Sequence, residues 1–132
     1  MDQHKYDQHV SAFKREDCLI LISNVKTEAG VWYLHKPVVV LDARTSLPEI
    51  GLAVFRALFE SQSGVPEPPS LADLDDTTDQ ILEAASVQSY EHLLENTLHC
   101  GVGRDTMGIE ITPTHNNGTH AEPKGFRFLF ER

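Results

Sequence analysis

VVVLDARTSLPEIGLAVFRALFESQS, residues 38–63, sets a strand against a helix across one short connection, and the reading of the rest of the chain works outward from it. Three consecutive valines before Leu41 favour an extended backbone, because branched Cβ atoms pack well on a pleated surface. Pro37, just ahead, is tolerated at a strand start but not in a central ladder. Ser46, Pro48 and Glu49 then mark a helix start. The Ser46 hydroxyl can accept from a free first-turn amide, Glu49 can reach back, and Pro48 lacks the donor that would be orphaned there. Ile50, Val54, Phe55 and Leu58 recur at three and four on one stripe, and Gly51 and Ala53 suit close approach to a sheet. Glu60 to Ser63 are polar, and Gly64 can end the helix.

Upstream lies a polar lead over residues 1–16, followed by the apolar runs CLILISNV (18–25) and VWYLH (31–35). KTEAG between these runs reads as a hairpin connection, with Gly30 free to take a positive φ, and VVVLD (38–42) is a third strand. Downstream, GVPEPPS begins an acidic, proline-containing loop over 64–77. From Thr78 a second helical pattern runs through Ile81, Leu82 and Ala85, then Val87, Tyr90 and Leu94. Its phase shifts around Ser86, which implies a bend or two short helices. The tail returns to strand composition at Leu98–Gly103, at Met107–Pro113 and at Gly125–Glu131, where Phe126, Phe128 and Phe130 share a face. The order of strands, two helices, strands predicts a single α+β domain over 1–132. Its mainly antiparallel sheet of about five or six strands would join both ends of the chain, with the two helices covering one face.

A chain of 132 residues, 40% hydrophobic and 23% charged, is large enough to bury a core without metals or disulfides and too apolar to be disordered. Cys18 and Cys100 are isolated thiols, which suits a reducing compartment; a bridge between them is possible but not indicated. The polar opening lacks the apolar core of a signal peptide, and no run reaches the ~18 apolar residues of a membrane span, so the expected location is the cytoplasm.

The charge is unevenly placed. Between Arg56 and Arg104 there is no Lys or Arg, yet Glu60, Glu67, Asp73, Asp75, Asp76, Asp79, Glu83, Glu91 and Glu95 all fall there, which accounts for the formal net charge of −9. A one-sided field of this kind attracts a basic partner and repels nucleic acid.

Enzyme chemistry finds little support. His115 and His120 flank the turn-forming Asn116-Asn117-Gly118, with only Glu122 nearby as a third metal ligand. His99 and Cys100 are adjacent in a strand and point to opposite faces, so neither can activate the other, and a buried thiol is the better reading. Gly101-Val102-Gly103 lacks the following helix and third glycine of a nucleotide-binding loop. Asp42 and Glu110 could pair for acid and base work only if folding brought them together. The expectation is no catalysis, no cofactor, no metal and no small-molecule substrate. The acidic set is more specific. If the second helix starts near Asp76, then Asp76, Asp79 and Glu83 share one face, while the helix dipole favours Asp75, Asp76 and Asp79 at its amino end. Glu91 and Glu95 find no basic residue on that helix.

The strand VVVLDART leading into Ser46, Ile50-Gly51, Ala53-Val54, Ala57-Leu58 and Ser61 resembles the immunity proteins of bacterial contact-dependent growth inhibition systems, the CdiI family. Cys100, the alternating IEITPT of 109–114 and the hairpin ISNVKTEAGVWYL fit the same pattern, which covers about residues 18–114 and departs most over 66–97. The resemblance implies a small cytoplasmic protein that neutralises the toxic C-terminal domain of an incoming effector. Such domains are often nucleases, whose clefts are basic because they hold phosphates. An acidic inhibitor fits, and the expected toxin contacts are Glu67, Asp73, Asp75, Asp76, Asp79 and Glu83. Two other classes are a small metal-dependent enzyme using His99, His115 or His120, and an acidic adaptor or regulator that binds a basic host protein.

Overall fold

A strand whose apolar residues run without alternation needs cover on both faces. Residues 19–22, LILI, are such a run. They lie in β2 (Cys18–Thr27) of the computed structural model, which describes residues 6–42, 44–116 and 126–128. Leu19 and Leu21 pack with Val10, Ala12, Leu58 and Val102 in one core, and Ile20 and Ile22 pack with Phe13, Ile81 and Leu93 in another.

Among the described residues there are seven strands and three helices. In chain order these are β1 (Gln8–Arg15), β2, β3 (Trp32–Asp42), α1 (Leu47–Glu60), β4 (Gln62–Val65), α2 (Leu71–Ala85), α3 (Tyr90–Leu94), β5 (Thr97–Asp105), β6 (Gly108–Asn116) and β7 (Phe126–Phe128). The sheet order is β3-β2-β1-β5-β6-β7 with antiparallel neighbours throughout, and the short β4 runs parallel to β2. The fold is therefore α+β, and both ends of the chain meet in one sheet, where β1 pairs with β5 from Gln8↔Arg104 to Arg15↔Thr97.

Several elements differ from the sequence reading, each for a physical reason. The helices do not share a face: α1 packs on one side of the sheet, α2 and α3 on the other, as the two-faced burial of β2 requires. The polar lead of 1–16 contains the central strand β1, where His9, Ser11 and Arg15 are buried through hydrogen bonds rather than hydrophobicity. The second and third predicted strands are one strand, β3. It lies at the sheet edge, where a proline such as Pro37 is tolerated, and its ladder with β2 shifts register between Ile22 and Asn24. The first helix ends at Glu60 rather than near Gly64, because Ser61 is drawn into the sheet. Ser61 is buried; its hydroxyl donates to Asn24 O at 2.6 Å and accepts from His9 N at 2.8 Å, and the chain continues directly into β4. The Ser23 hydroxyl donates to Ala57 O at 2.6 Å and fastens the same helix to β2. The 64–77 loop is confined to residues 66–70, since α2 already starts at Leu71.

Gly51 and Phe55 do not face the sheet: a Cβ at Gly51 would meet nothing within 4 Å and Phe55 is exposed, because the inward stripe of α1 runs through Ala53, Val54, Ala57 and Leu58. Other local expectations match the structure. Gly30 turns with a φ of 86°. Ser46 caps α1, accepting from Glu49 N at 3.3 Å. The phase shift at Ser86 is a true break, with Ser86 left-handed (φ 57°, ψ 42°) between α2 and α3. The strand expected at 125–131 is described over Phe126–Phe128, and Phe130 lies outside the described residues.

Candidate functional site

α2 buries Thr77 and Ile81 and turns the opposite stripe to solvent. At a spacing of four, Asp75, Asp79 and Glu83 follow one another along that stripe, all exposed. The Ser70 hydroxyl accepts from Asp73 N at 3.1 Å, which places Asp73 in the first turn at the positive end of the helix dipole. At the other end there is no basic residue in the last turn, so Glu83 stands where the dipole opposes its charge.

The predicted contacts separate into groups. Asp76 forms an ion pair with Lys36 of β3, which holds its carboxyl below the ordinary carboxylate range and raises the lysine; Gln80 Nε2 also donates to Asp76 Oδ2 at 3.2 Å. The field of Asp73 adds to the rise at Lys36. The base-free stretch thus has a counter-charge, supplied from the neighbouring strand and invisible along the helix. Asp75, Asp79 and Glu83 remain open to a partner, and Glu67 is exposed on the connection ahead of α2. Glu91 and Glu95 do not extend this stripe, because they belong to α3 and its cap beyond the Ser86 break.

A second site escaped the sequence reading. Along the α2 side of β1, Phe13 packs with residues of α2 and α3, and the same face continues as Ser11 and His9, both also buried. Asn24 of β2 faces them, with its Nδ2 2.7 Å from His9 Nδ1 and 3.0 Å from Ser11 Oγ. Opposite, His99 Nδ1 lies 3.0 Å from Thr114 Oγ1, whose hydroxyl donates to His99 O at 2.9 Å. These side chains, with Trp32 and Tyr90, line a cleft of about 230 Å³. The His9 and Trp32 rings are 5.4 Å apart, and the Phe13 and His99 rings 4.7 Å. Burial lowers both histidines to about 4, His99 also under the influence of His9, so both are neutral near pH 7. A faint signal existed: polar His9 and Ser11 alternate with apolar Val10 and Ala12 ahead of Phe13, a half-hidden strand pattern in a segment dominated by its charges.

The chemical candidates fare differently. His99 belongs to the cleft, while Cys100 packs against the α1 core on the opposite face, as alternation in a strand requires. Cys18 lies on the α2 side, its thiol 3.6 Å from Ala84 O, so the two free cysteines are on different faces. Asp42 is on β3 and Glu110 on β6, with three strands between them, which excludes their convergence. The His115 side chain, His120 and Glu122 lie outside the described residues, and among the described residues no three of His, Cys, Asp or Glu gather as a metal site.

No protein-family model matches the chain, and no curated protein matches it by sequence. Among solved structures it is similar to a protein of unknown function from Neisseria meningitidis, with a TM-score of 0.73 and 15% identity over 98% of this chain and 82% of that one. At that identity the likeness concerns the fold. No helix among the described residues is long and apolar enough to cross a membrane.

Proposed function

We propose that this chain is a cytoplasmic immunity protein of the contact-dependent growth inhibition kind, which binds and neutralises a basic toxin domain of the nuclease class. The observation that carries the reading is the outward stripe of α2. Three carboxylates at a spacing of four repel one another and meet an unfavourable dipole at Glu83, a cost the fold does not require. A basic cleft relieves it, and exposed carboxylates can stand where substrate phosphates would lie. Asp75, Asp79 and Glu83 are the principal contacts, with Glu67 and Asp73 at the margin and Asp76 held by Lys36. The resemblance around α1 supports the same class from a separate part of the chain. The role is binding rather than catalysis.

The test is co-expression of the chain with the C-terminal domain of the exported protein encoded immediately upstream. The expected result is rescue of growth and co-purification of the two proteins, both lost when Asp75, Asp79 and Glu83 are replaced by Lys. Rescue by the triple variant at full strength would remove the acidic face from the mechanism. Co-purification with a basic host protein, in the absence of any toxin, would favour an adaptor.

A further inference from the structure

We propose that a second copy of this chain docks on the outer face of α1 and the neighbouring face of β6, giving a weak dimer with two-fold symmetry. This surface lies on the opposite side of the sheet from the acidic stripe of α2, and the proposal does not rest on the toxin-binding reading.

The pattern of β6 calls for a cover that its own helix does not supply. An antiparallel strand with one face on a core alternates apolar and polar residues, the apolar ones inward. β6 alternates in this way, Ile109 and Ile111 against Glu110 and Thr112, but with the sense inverted: Ile111 is 66% exposed and Thr112 only 7%. The register sets Ile111 beside Val102 and Ile109 beside Arg104, which places both isoleucines on the α1 side of the sheet. α1 packs over β1, β2 and β3 and reaches β5 at Val102, and the two isoleucines lie beyond it. The apolar surface continues from there onto the helix. The Arg104 guanidinium lies 5.4 Å from the centroid of the Phe59 ring, and Phe55 and Leu52 follow Phe59 along the outer side of α1, all three exposed.

Gly51 is a second, independent sign. It sits inside α1 with no left-handed backbone to require glycine and no internal neighbour to crowd a side chain, although glycine weakens a helix relative to alanine. A helix surface left without a side chain one turn from Phe55 admits a close approach from outside. Size and charge then name the occupant. Leu52, Phe55, Phe59, Ile109 and Ile111 together expose on the order of 500 Å², near the upper end of the largest apolar patch on ordinary monomers. Two such patches face to face remove about 1,000 Å² before any polar rim is added, the size at which specific interfaces begin. A second copy also brings the same net charge of −9, so it must dock where that charge is not concentrated. The rim here mixes signs: Arg56 and Glu60 are exposed on either side of Phe59 in sequence, and each copy offers the other both a cation and an anion. A basic toxin cleft would instead meet Arg56 and Arg104.

The test is sedimentation velocity of the full chain, without any toxin, from about 1 to about 500 µM. The expected result is a monomer–dimer equilibrium with a dissociation constant of roughly 1–100 µM and no larger species. The double variant Phe59→Ser, Ile111→Thr changes two exposed side chains, so its circular dichroism should match the natural chain while self-association weakens at least tenfold, roughly the loss of one aromatic anchor. Gly51→Gln separates docking from folding: it should raise the thermal midpoint of the dilute monomer, because the helix gains a better former in open space, and yet weaken the dimer. The proposal is overturned by a chain that stays monomeric throughout, and loss of toxin binding in the double variant would then make the toxin the occupant of this face. It is equally overturned by growth beyond a dimer, which means a head-to-tail contact, or by a dimer that neither variant weakens.

Discussion

α1 and α2 begin with the same device, a serine whose hydroxyl accepts from the amide three residues on, and each fully buries two residues against the sheet. They lie on opposite faces and turn different surfaces outward. α1 exposes Leu52, Phe55 and Phe59, whereas α2 exposes Asp75, Asp79 and Glu83. Since both helices meet their packing needs with a narrow inward stripe, the fold does not dictate either outer face. The acidic character of α2 is therefore a property added to the fold rather than required by it, and that is the reason to assign it a role.

The comparison can be broken most severely from within. Leu58→Ala on the α1 side and Ile81→Ala on the α2 side each remove a buried side chain, and each should cost about 2–5 kcal/mol in urea unfolding. Because the sheet separates the two cores, the double variant should lose nearly the sum, within ~0.5 kcal/mol. A strongly non-additive result would mean that the faces are not independent layers.

A smaller effect distinguishes the faces by pH. His9 and His99 lie on the α2 side with folded values lowered to about 4 from 6.5, so between those values the unfolded chain binds more protons than the folded one. Stability is thus fully present above pH 6.5 and is lost as pH falls toward 4. The midpoint of thermal unfolding should drop over that window, and less steeply in His99→Gln, a difference that scanning calorimetry would read.

The caps provide a matched pair. Ser46→Ala and Ser70→Ala should each destabilise by about 1 kcal/mol in chemical denaturation, since both remove one hydroxyl acceptor from a first turn. Smallest of all is Lys36→Ala. It breaks an exposed ion pair and should leave the melting temperature unchanged, while freeing Asp76 and so speeding association with a basic partner at low salt.

What could be read from the sequence follows the same division. α1 was legible because its cap, stripe and preceding valines are local signals, and its end was misplaced only where a tertiary contact, Ser61 with Asn24 and His9, takes over. The start of α2 was hidden because Leu71 and Leu74 follow Pro68-Pro69 and carry a weak apolar pattern among acids; the Ser70 cap was the available clue. The acidic residues were visible as a cluster, but not the removal of Asp76 by Lys36, forty positions away and on another element. β1 was missed for the opposite reason. Beside Val10, Ala12 and Phe13 it buries His9, Ser11 and Arg15, whose burial depends on partners contributed by distant segments: Asn24 for His9 and Ser11, and Thr97 and the Glu95 carbonyl for Arg15. The short alternation of Val10 and Ala12 with His9 and Ser11 is a faint strand signal in a segment dominated by charge, and the cleft built on it depends on contacts that no local pattern announces.

The most direct test of the assignment to α2 is the association rate constant with the upstream-encoded toxin domain, measured by stopped flow against ionic strength. Three proteins are compared: the natural chain, the Asp75→Lys, Asp79→Lys, Glu83→Lys variant, and a Phe55→Ser, Phe59→Ser variant of α1. The natural chain and the α1 variant should associate rapidly at low salt and slow steeply as salt rises, while the α2 variant should be slower by roughly a hundredfold at low salt and nearly insensitive to it. Rapid, salt-dependent association by the α2 variant, with loss of binding in the α1 variant, would contradict the assignment.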